Sequence, residues 1–162
     1  KFKNQNALVL GGSRGLGEIV TKIIAAGGGK VLATYFKGKD DIDKMLSSFT
    51  KHRLNVQSTK LDINNLTDLN KIILNESISH IYYFASPRII PNKSKDLDQT
   101  LLKNYQHYYV DQFRVVLKVL EKLSNIKFKV FYPSTIFLLM KIRMIFWSIP
   151  NQKKRAKNYL AM

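Results

Sequence analysis

Short apolar runs alternate along this chain with longer stretches in which apolar residues recur every three or four positions. The runs are rich in β-branched and aromatic residues, and they predict strands at 7–10, 31–36, 55–61, 80–84 and 128–132. The periodic stretches predict helices at 16–26, 40–52, 66–75 and 96–123. Three consecutive glycines at 27–29 are expected to end the first of these helices.

The order of these elements predicts the fold class. Strands that alternate with helices form βαβ units, in which the strands run parallel and the crossovers are right-handed. The strands are apolar almost throughout, as is typical of a sheet that helices cover on both faces. We therefore predict an α/β fold with a doubly wound parallel sheet, Rossmann-like and incomplete at its C-terminal end. Residues 1–162 would form a single, partial domain.

Two features of the C-terminal half leave alternatives open. Pro133 is expected to end the fifth strand, which would leave an exposed sheet edge, and the apolar segment 136–149 fits an insertion, a lid or a packing segment. The longest predicted helix carries an apolar stripe, which is typical of a core helix and could also contact a second copy of the chain. The stripe consists of Leu102, Tyr105, Tyr109, Phe113, Val116, Leu120 and Leu123.

The amino-acid composition excludes several classes of function. The chain has no cysteine, which excludes disulfide scaffolds, thiol catalysis and cysteine-ligated metals. His52, His80 and His107 lack metal-ligand spacing, so we predict no metal site. We find no segment with the length and hydropathy of a membrane span and no secretion signal, and we expect a cytoplasmic protein without a membrane partner.

The formal net charge of +16 has two explanations. A polyanionic partner would require it, whereas a chain that uses lysine as its default surface residue would acquire it without any partner. The basic residues are dispersed, apart from one dense run at 153–157. We therefore favour the compositional explanation and do not predict nucleic-acid binding.

A glycine-rich loop lies between the first strand and the first helix. Residues 10–17 read Leu-Gly-Gly-Ser-Arg-Gly-Leu-Gly, and because Glu18 follows, the loop lacks the Lys-Ser/Thr pair of a Walker A motif. Residues without Cβ atoms let the backbone turn tightly and approach a pyrophosphate, and the helix N-terminus offers that anion free N–H groups and a partial positive charge. The alternative is a tight turn without a ligand, but the position at a strand–helix junction favours dinucleotide binding.

On these residues the chain resembles the short-chain dehydrogenase/reductase superfamily, whose loop has glycines at the positions of Gly11, Gly15 and Gly17; Leu10 stands where a threonine is usual. The resemblance implies a nicotinamide cofactor and hydride transfer to a carbonyl substrate. It also implies a set of cofactor contacts in and around the strand ends. These are Gly11, Ser13, Arg14, Gly15, Leu16, Gly17, Tyr35, Lys37, Asp62, Ala85 and Ser86.

The residues after the second strand favour NADP(H) over NAD(H). An NAD enzyme would place an acid there for the ribose 2′-hydroxyl, but this chain has Lys37 and no acid before Asp40. The resemblance adds Arg14, since similar NADP-dependent reductases contact the 2′-phosphate from that position. It also assigns Asp62 to the adenine, although Asp62 could instead cap the helix that follows.

The resemblance further implies a catalytic tyrosine, a lysine four positions after it and a serine or threonine hydroxyl. Thr135, with Ser134 beside it, matches the hydroxyl, and Tyr159 matches the tyrosine; the position for the lysine would follow Met162. Asp111 stands where the family has an asparagine that supports a proton relay. The alternatives are a strand-ending turn at 134–135 and an ordinary aromatic residue at 159.

These observations predict an NADPH-dependent oxidoreductase of the ketoreductase type that acts on a small carbonyl compound. The present chain would hold mainly the cofactor-binding part and would be inactive alone. A homo-oligomer could form through the helix at 96–123. The separation of Thr135 and Tyr159 also fits an extended-type sugar-nucleotide epimerase or dehydratase. A third candidate is a non-catalytic dinucleotide-binding or scaffold domain, which Asp111 and the missing lysine favour.

Overall fold

A computed structural model describes residues 1–52, 54–87, 99–123, 127–136 and 141–148. The strands are β1 (Asn6–Leu10), β2 (Lys30–Tyr35), β3 (Val56–Lys60), β4 (His80–Tyr83), β5 (Lys129–Ile136) and β6 (Lys141–Ser148). The helices are α1 (Gly15–Ala26), α2 (Lys39–Lys51), α3 (Leu66–Asn75), α4 (Gln99–Gln106) and α5 (Gln112–Lys122), with a π-helical turn, His107–Asp111, between the last two.

The strands form one sheet in the order β3-β2-β1-β4-β5-β6. The first five strands are parallel, and β6 pairs with β5 in the antiparallel direction. The chain therefore changes direction across the sheet between β3 and β4, as a doubly wound sheet does. The predicted Rossmann-like α/β class is confirmed.

Apolar side chains cover both faces of the central strands. On one face, Leu8 and Ile81 pack in a cluster that also contains Leu69 of α3 and Leu120 of α5. On the opposite face, α1 and α2 pack over β1 and β2 in two clusters. Strand β3 lies at the edge, and its sequence is correspondingly more polar. Helix α1 ends at the predicted glycines, where Gly28 has a positive φ of 87°.

The prediction that Pro133 ends the fifth strand is wrong, and so is the prediction that the sheet ends there. Strand β5 continues to Ile136, and Pro133 lies opposite Met144 of β6. The pairing between β4 and β5 ends at Phe131, and beyond that residue the described neighbour of β5 is β6 alone. Pro133, which has no N–H to donate, is tolerated where a strand has a neighbour on one side only. The apolar segment 136–149 thus contributes an edge strand, while residues 137–140 and 149–162 lie outside the described part.

The single long helix predicted at 96–123 is interrupted. The π-helical turn inserts extra backbone between α4 and α5, so a spacing of three and four residues no longer keeps one stripe on one face. Val116 and Leu120 are buried, whereas Leu102 is 44% exposed and α4 has no buried residue. Residues 96–98 are outside the described ranges. No described helix is long and apolar enough to cross a membrane.

Candidate cofactor-binding site

The glycine-rich loop begins where β1 ends, at the C-terminal edge of the sheet. Gly11 has a φ of 79°, a left-handed conformation that glycine adopts without strain. Its N–H donates to Thr34 Oγ1 at 3.0 Å, and the Gly12 N–H donates to the Thr34 carbonyl at 2.9 Å. Thr34 is buried and anchors the loop to β2. We did not predict this role; the available signal was a small polar residue within an apolar strand.

Two glycines let three backbone segments meet at this loop. A Cβ on Gly17 would collide with the carbonyl oxygen of Gly11, so α1 can lie against the loop only with glycine at this position. A Cβ on Gly11 would lie 2.8 Å from the carbonyl carbon and oxygen of Phe84, just after β4. The Phe84 N–H donates to the Leu10 carbonyl at 2.8 Å, and this hydrogen bond keeps the end of β4 close to the loop.

The first turn of α1 is open to a ligand. Arg14 precedes the helix in an extended conformation, and among the described residues no side chain hydrogen-bonds to that end as a cap. Gly15 has a φ of 59°, and a Cβ built on it would meet no described atom within 4 Å. Leu16 is 66% exposed although it is apolar. Free helical N–H groups beside open space fit a diphosphate.

The turn after β2 lies next to the loop. Ser13 is buried, and a Cβ on Gly38 would lie 3.3 Å from its Oγ. This approach brings the segment that contains Lys37 next to the segment that contains Arg14, and Gly38 is a second residue that we did not predict. The Lys37 ammonium lies 5.7 Å from the centre of the Phe36 ring, a cation–π distance.

Tyr35 contributes to the core at this point. It is half-buried and packs against the cluster of Ala33, Ile42, Met45 and Phe49 that joins β2 to α2. Its carbonyl accepts the Leu61 N–H at 2.8 Å and so joins the ends of β2 and β3.

Asp62 follows β3 at the same edge of the sheet. Its Oδ1 accepts the Asn64 N–H at 3.0 Å and the Asn64 side-chain amide at 2.8 Å, which fixes the turn before α3. The alternative role of Asp62 as the N-cap of α3 is wrong, because Asn65 is the cap and its side chain accepts the Asp68 N–H at 3.3 Å.

The residues that follow β4 lie at the same C-terminal edge of the sheet. Ala85 is half-buried, and its backbone nitrogen would lie 2.9 Å from a Cβ on Gly11; Ser86 is exposed. The backbone at 84–85 thus lies directly against the loop, and Ala85 also packs against the core cluster of Leu8 and Ile81.

The predicted catalytic residues are only partly within the described chain. Ser134 and Thr135 lie in β5, opposite Arg143 and Ile142 of β6, so the alternative of a strand-ending turn is wrong. Because β5 is parallel to β1, their backbone lies toward the same edge of the sheet as the glycine loop. Tyr159 lies outside the described residues, as does the basic run 153–157.

Two tyrosines hold the π-helical turn beside this edge. The Tyr83 hydroxyl donates to the Tyr108 carbonyl at 2.6 Å, and the Tyr132 hydroxyl donates to the Tyr109 carbonyl at 2.7 Å. Burial raises the pKa of both tyrosines, so both hydroxyls remain protonated donors at neutral pH. Phe113 stacks on the Tyr132 ring with 4.1 Å between ring centres. These contacts join residues far apart in the chain, so no local sequence pattern predicts them.

The same turn contacts the segment of Asp62. His107 Nε2 lies 3.0 Å from Asn64 Oδ1, and Asn64 in turn donates to Asp62. Asp111 ends the turn and is exposed. Within the described residues, no group of three or more metal-binding side chains occurs.

The structure thus defines a class of protein: a doubly wound α/β domain whose first strand–helix junction is a glycine-rich turn open at the helix N-terminus. No family model matches the chain. The resemblance to the short-chain dehydrogenase/reductase superfamily is confirmed by the proteins to which the chain is similar. L-rhamnose 1-dehydrogenase (NADP(+)) from Thermoplasma acidophilum is 31% identical over 61 residues, which are 38% of this chain and 24% of that protein.

Solved structures of this superfamily have the same fold. A short-chain dehydrogenase/reductase from Serratia marcescens matches with a TM-score of 0.61 at 21% identity, over 75% of this chain and 51% of that one. A short-chain dehydrogenase from Burkholderia cenocepacia, in complex with NADP, matches with a TM-score of 0.60 at 18% identity and the same coverage. The matched part of the chain covers about half the length of these structures and about a quarter of the rhamnose dehydrogenase.

Proposed function

We propose that the chain is the cofactor-binding part of an NADP(H)-dependent oxidoreductase. The observation that carries this proposal is the open first turn of α1, where Arg14 precedes uncapped N–H groups and Gly15 borders empty space. The diphosphate would lie on this turn, with Gly11 and Gly17 allowing the close approach. Asp62 would contact the adenine, and the backbone at 85–86 would lie along the cofactor.

The preference for NADP(H) over NAD(H) rests on charge. Arg14 and Lys37 lie on adjacent segments, joined by the approach of Ser13 to Gly38, and no acid precedes Asp40 after β2. Two cations stabilise the dianionic 2′-phosphate, and the absence of an acid removes the usual partner of an unmodified ribose. The complexes with NADP among the similar structures support the same cofactor class.

The proposed reaction is the reduction of a carbonyl compound, and NADPH supplies its hydride. Thr135 and Ser134 would hydrogen-bond the carbonyl oxygen, and the Tyr159 hydroxyl would give that oxygen its proton as the hydride reaches the carbon. The site would then lie at the C-terminal edge, where β1 and β4 end and β5 extends beyond them. We place this activity in the cytoplasm and in the full-length protein, and we expect the chain alone to be inactive.

Binding distinguishes this proposal from a scaffold role. We expect NADPH to stabilise the chain in a thermal-shift titration more than NADH does at the same concentration. Arg14→Ala combined with Lys37→Ala should weaken NADPH binding by about tenfold or more and should leave NADH nearly unchanged, because only NADPH carries the 2′-phosphate. Arg114→Ala combined with Lys118→Ala on α5, which also removes two positive charges, is the control. Equal weakening of both cofactors would refute the phosphate contact, and no binding of either would favour the scaffold.

The catalytic assignment needs turnover by the full-length protein. Tyr159→Phe should lower kcat for carbonyl reduction by about a hundredfold or more, since it removes the proton donor. Tyr105→Phe provides a matched control on α4. A variant at Tyr159 that keeps its kcat would show that another group supplies the proton.

A further inference from the structure

Basic residues collect at the edge of the sheet opposite the glycine-rich loop. Lys3 precedes β1, Lys30 begins β2, His80 begins β4 and Lys129 begins β5. Parallel strands begin at the same edge, and the register places these positions in a row: Asn6 pairs with Lys30, Ala7 with His80, and His80 with Lys129. The topology therefore concentrates positive charge that is dispersed in the sequence.

An open cleft of about 420 Å³ lies at this edge. Lysines, amide side chains, His80 and Phe2 line it, and no carboxylate does so among the described residues. Glu76 lies at the same edge of the sheet: its Oε2 is 3.4 Å from the Lys30 ammonium, and its backbone carbonyl accepts from Asn6 Nδ2. The lining side chains used below are Lys1, Lys3, Lys129, His80, Asn4 and Gln5.

The contacts of Ser79 show which nitrogen of His80 is left for a ligand. Ser79 Oγ accepts the Asn6 N–H at 3.0 Å and lies 3.2 Å from the Asn6 carbonyl oxygen. It also lies 2.9 Å from His80 Nδ1, so Nδ1 faces the protein whichever of the two atoms donates. Nε2 is the other ring nitrogen, and in the charged ring it carries a proton that a ligand can accept.

Other groups around His80 oppose that charge. Burial and the neighbouring Lys129 ammonium lower the pKa of His80. Lys1 and Lys3 face the cleft from the N-terminal segment, and the Tyr82 hydroxyl, on the same strand, donates to Gln5 Oε1 at 2.9 Å. Lys129 pairs with the uncharged Ser148 of β6. In the described part of the chain, the cleft is thus lined by lysine ammonium groups that repel one another and have no carboxylate among the lining residues.

We propose that this cleft binds an oxyanion with at least two negative charges, as in a phosphate group, at a site separate from the cofactor-binding loop. The lysines neutralise the charge, and the charged His80 ring donates to the anion from Nε2. The cleft and the loop are separated by the length of β4, about 13 Å for four residues. This proposal does not depend on the identity of the cofactor. The volume admits inorganic phosphate and also a small phosphate monoester.

The test is a histidine NMR titration of the whole chain with inorganic phosphate, and separately with glycerol 3-phosphate, at constant ionic strength. The His80 ring signals should shift in a saturable way, and its pKa should rise, while His52 and His107 serve as internal references. A stronger shift with glycerol 3-phosphate identifies a phosphate monoester as the ligand class, and a stronger shift with phosphate identifies the free ion. Added NADPH should leave the His80 shift unchanged.

Substitutions of the lysines that line the cleft test where the phosphate binds. Lys129→Gln and Lys3→Gln should each weaken binding by about five- to tenfold, whereas Lys118→Gln on α5 should bind as the unmodified chain does. Unchanged thermal midpoints without phosphate would show that the variants are folded; if they are not, the titration of the unmodified chain decides. The proposal is overturned if His80 does not respond, if all three histidines shift equally, or if Lys118→Gln weakens binding as much.

Discussion

Single hydroxyl groups determine how the backbone is held at the C-terminal edge of the sheet. Thr34 anchors the glycine-rich loop to β2, and Tyr83 and Tyr132 bind carbonyl groups of the π-helical turn. Tyr83 is buried and the residues that carry the two carbonyls are half-buried, so water only partly replaces a lost donor. The loss then costs more than an ordinary hydrogen bond contributes. These hydroxyls are therefore expected to matter more for stability than exposed polar groups of the same size.

Tyr83→Phe tests this expectation. The substitution keeps the ring but leaves the Tyr108 carbonyl without its donor, and we expect it to lower the free energy of unfolding by about 1–3 kcal/mol in urea denaturation. Tyr82→Phe is the control, because Tyr82 is more exposed than Tyr83 (9% against 1%) and its hydroxyl contacts a side-chain amide, which can turn toward water. Equal losses in the two variants would argue against a special role for the Tyr83 contact.

The pH dependence has a definite sign. Burial places the pKa of Tyr83 in the folded chain above its value of about 10 in the unfolded chain. The stability contributed by the protonated hydroxyl is complete below pH 10 or so, and it is lost as the pH rises above that value. In Tyr83→Phe, the decrease in stability above about pH 10 should be smaller than in the unmodified chain.

At the level of elements, periodicity predicted the helices wherever the hydrogen-bond pattern is regular. The bounds of α3 agree with the prediction, and α1 differs by one residue. The π-helical turn could not be predicted, because its carbonyls are satisfied by Tyr83 and Tyr132, which are distant in sequence. Strand β5 was predicted too short for a related reason: the rule that proline ends a strand depends on how many neighbours the strand has.

Helix α4 carries the part of the apolar stripe that the described core does not cover. Leu102 is 44% exposed, and we propose that a second copy of the chain covers this face. Leu102→Glu should shift the protein from dimer to monomer in sedimentation velocity, because a buried carboxylate without a partner opposes association. Leu74→Glu, at an exposed leucine of α3, should leave the dimer intact. A monomer at all concentrations before substitution would contradict the proposal.

At the level of the whole molecule, the sheet order was predictable. Few topologies combine a parallel sheet, short right-handed crossovers and a glycine turn after β1, and the doubly wound sheet is the one observed. What the sequence could not supply was the convergence of charge at the opposite edge, since Lys3, His80 and Lys129 are far apart in the chain. It likewise could not identify Gly38, whose role depends on its approach to Ser13.

The central claim is that the first turn of α1 holds a dinucleotide diphosphate, and calorimetric titration of NADPH into two glycine variants tests it most directly. Gly15→Ala and Gly28→Ala both place a side chain at a positive φ and should cost roughly 1–2 kcal/mol of stability each. Only Gly15→Ala puts its Cβ into the open space at the helix N-terminus. We predict at least about tenfold weaker NADPH binding for Gly15→Ala and unchanged binding for Gly28→Ala. Equal affinity in both variants would contradict the account.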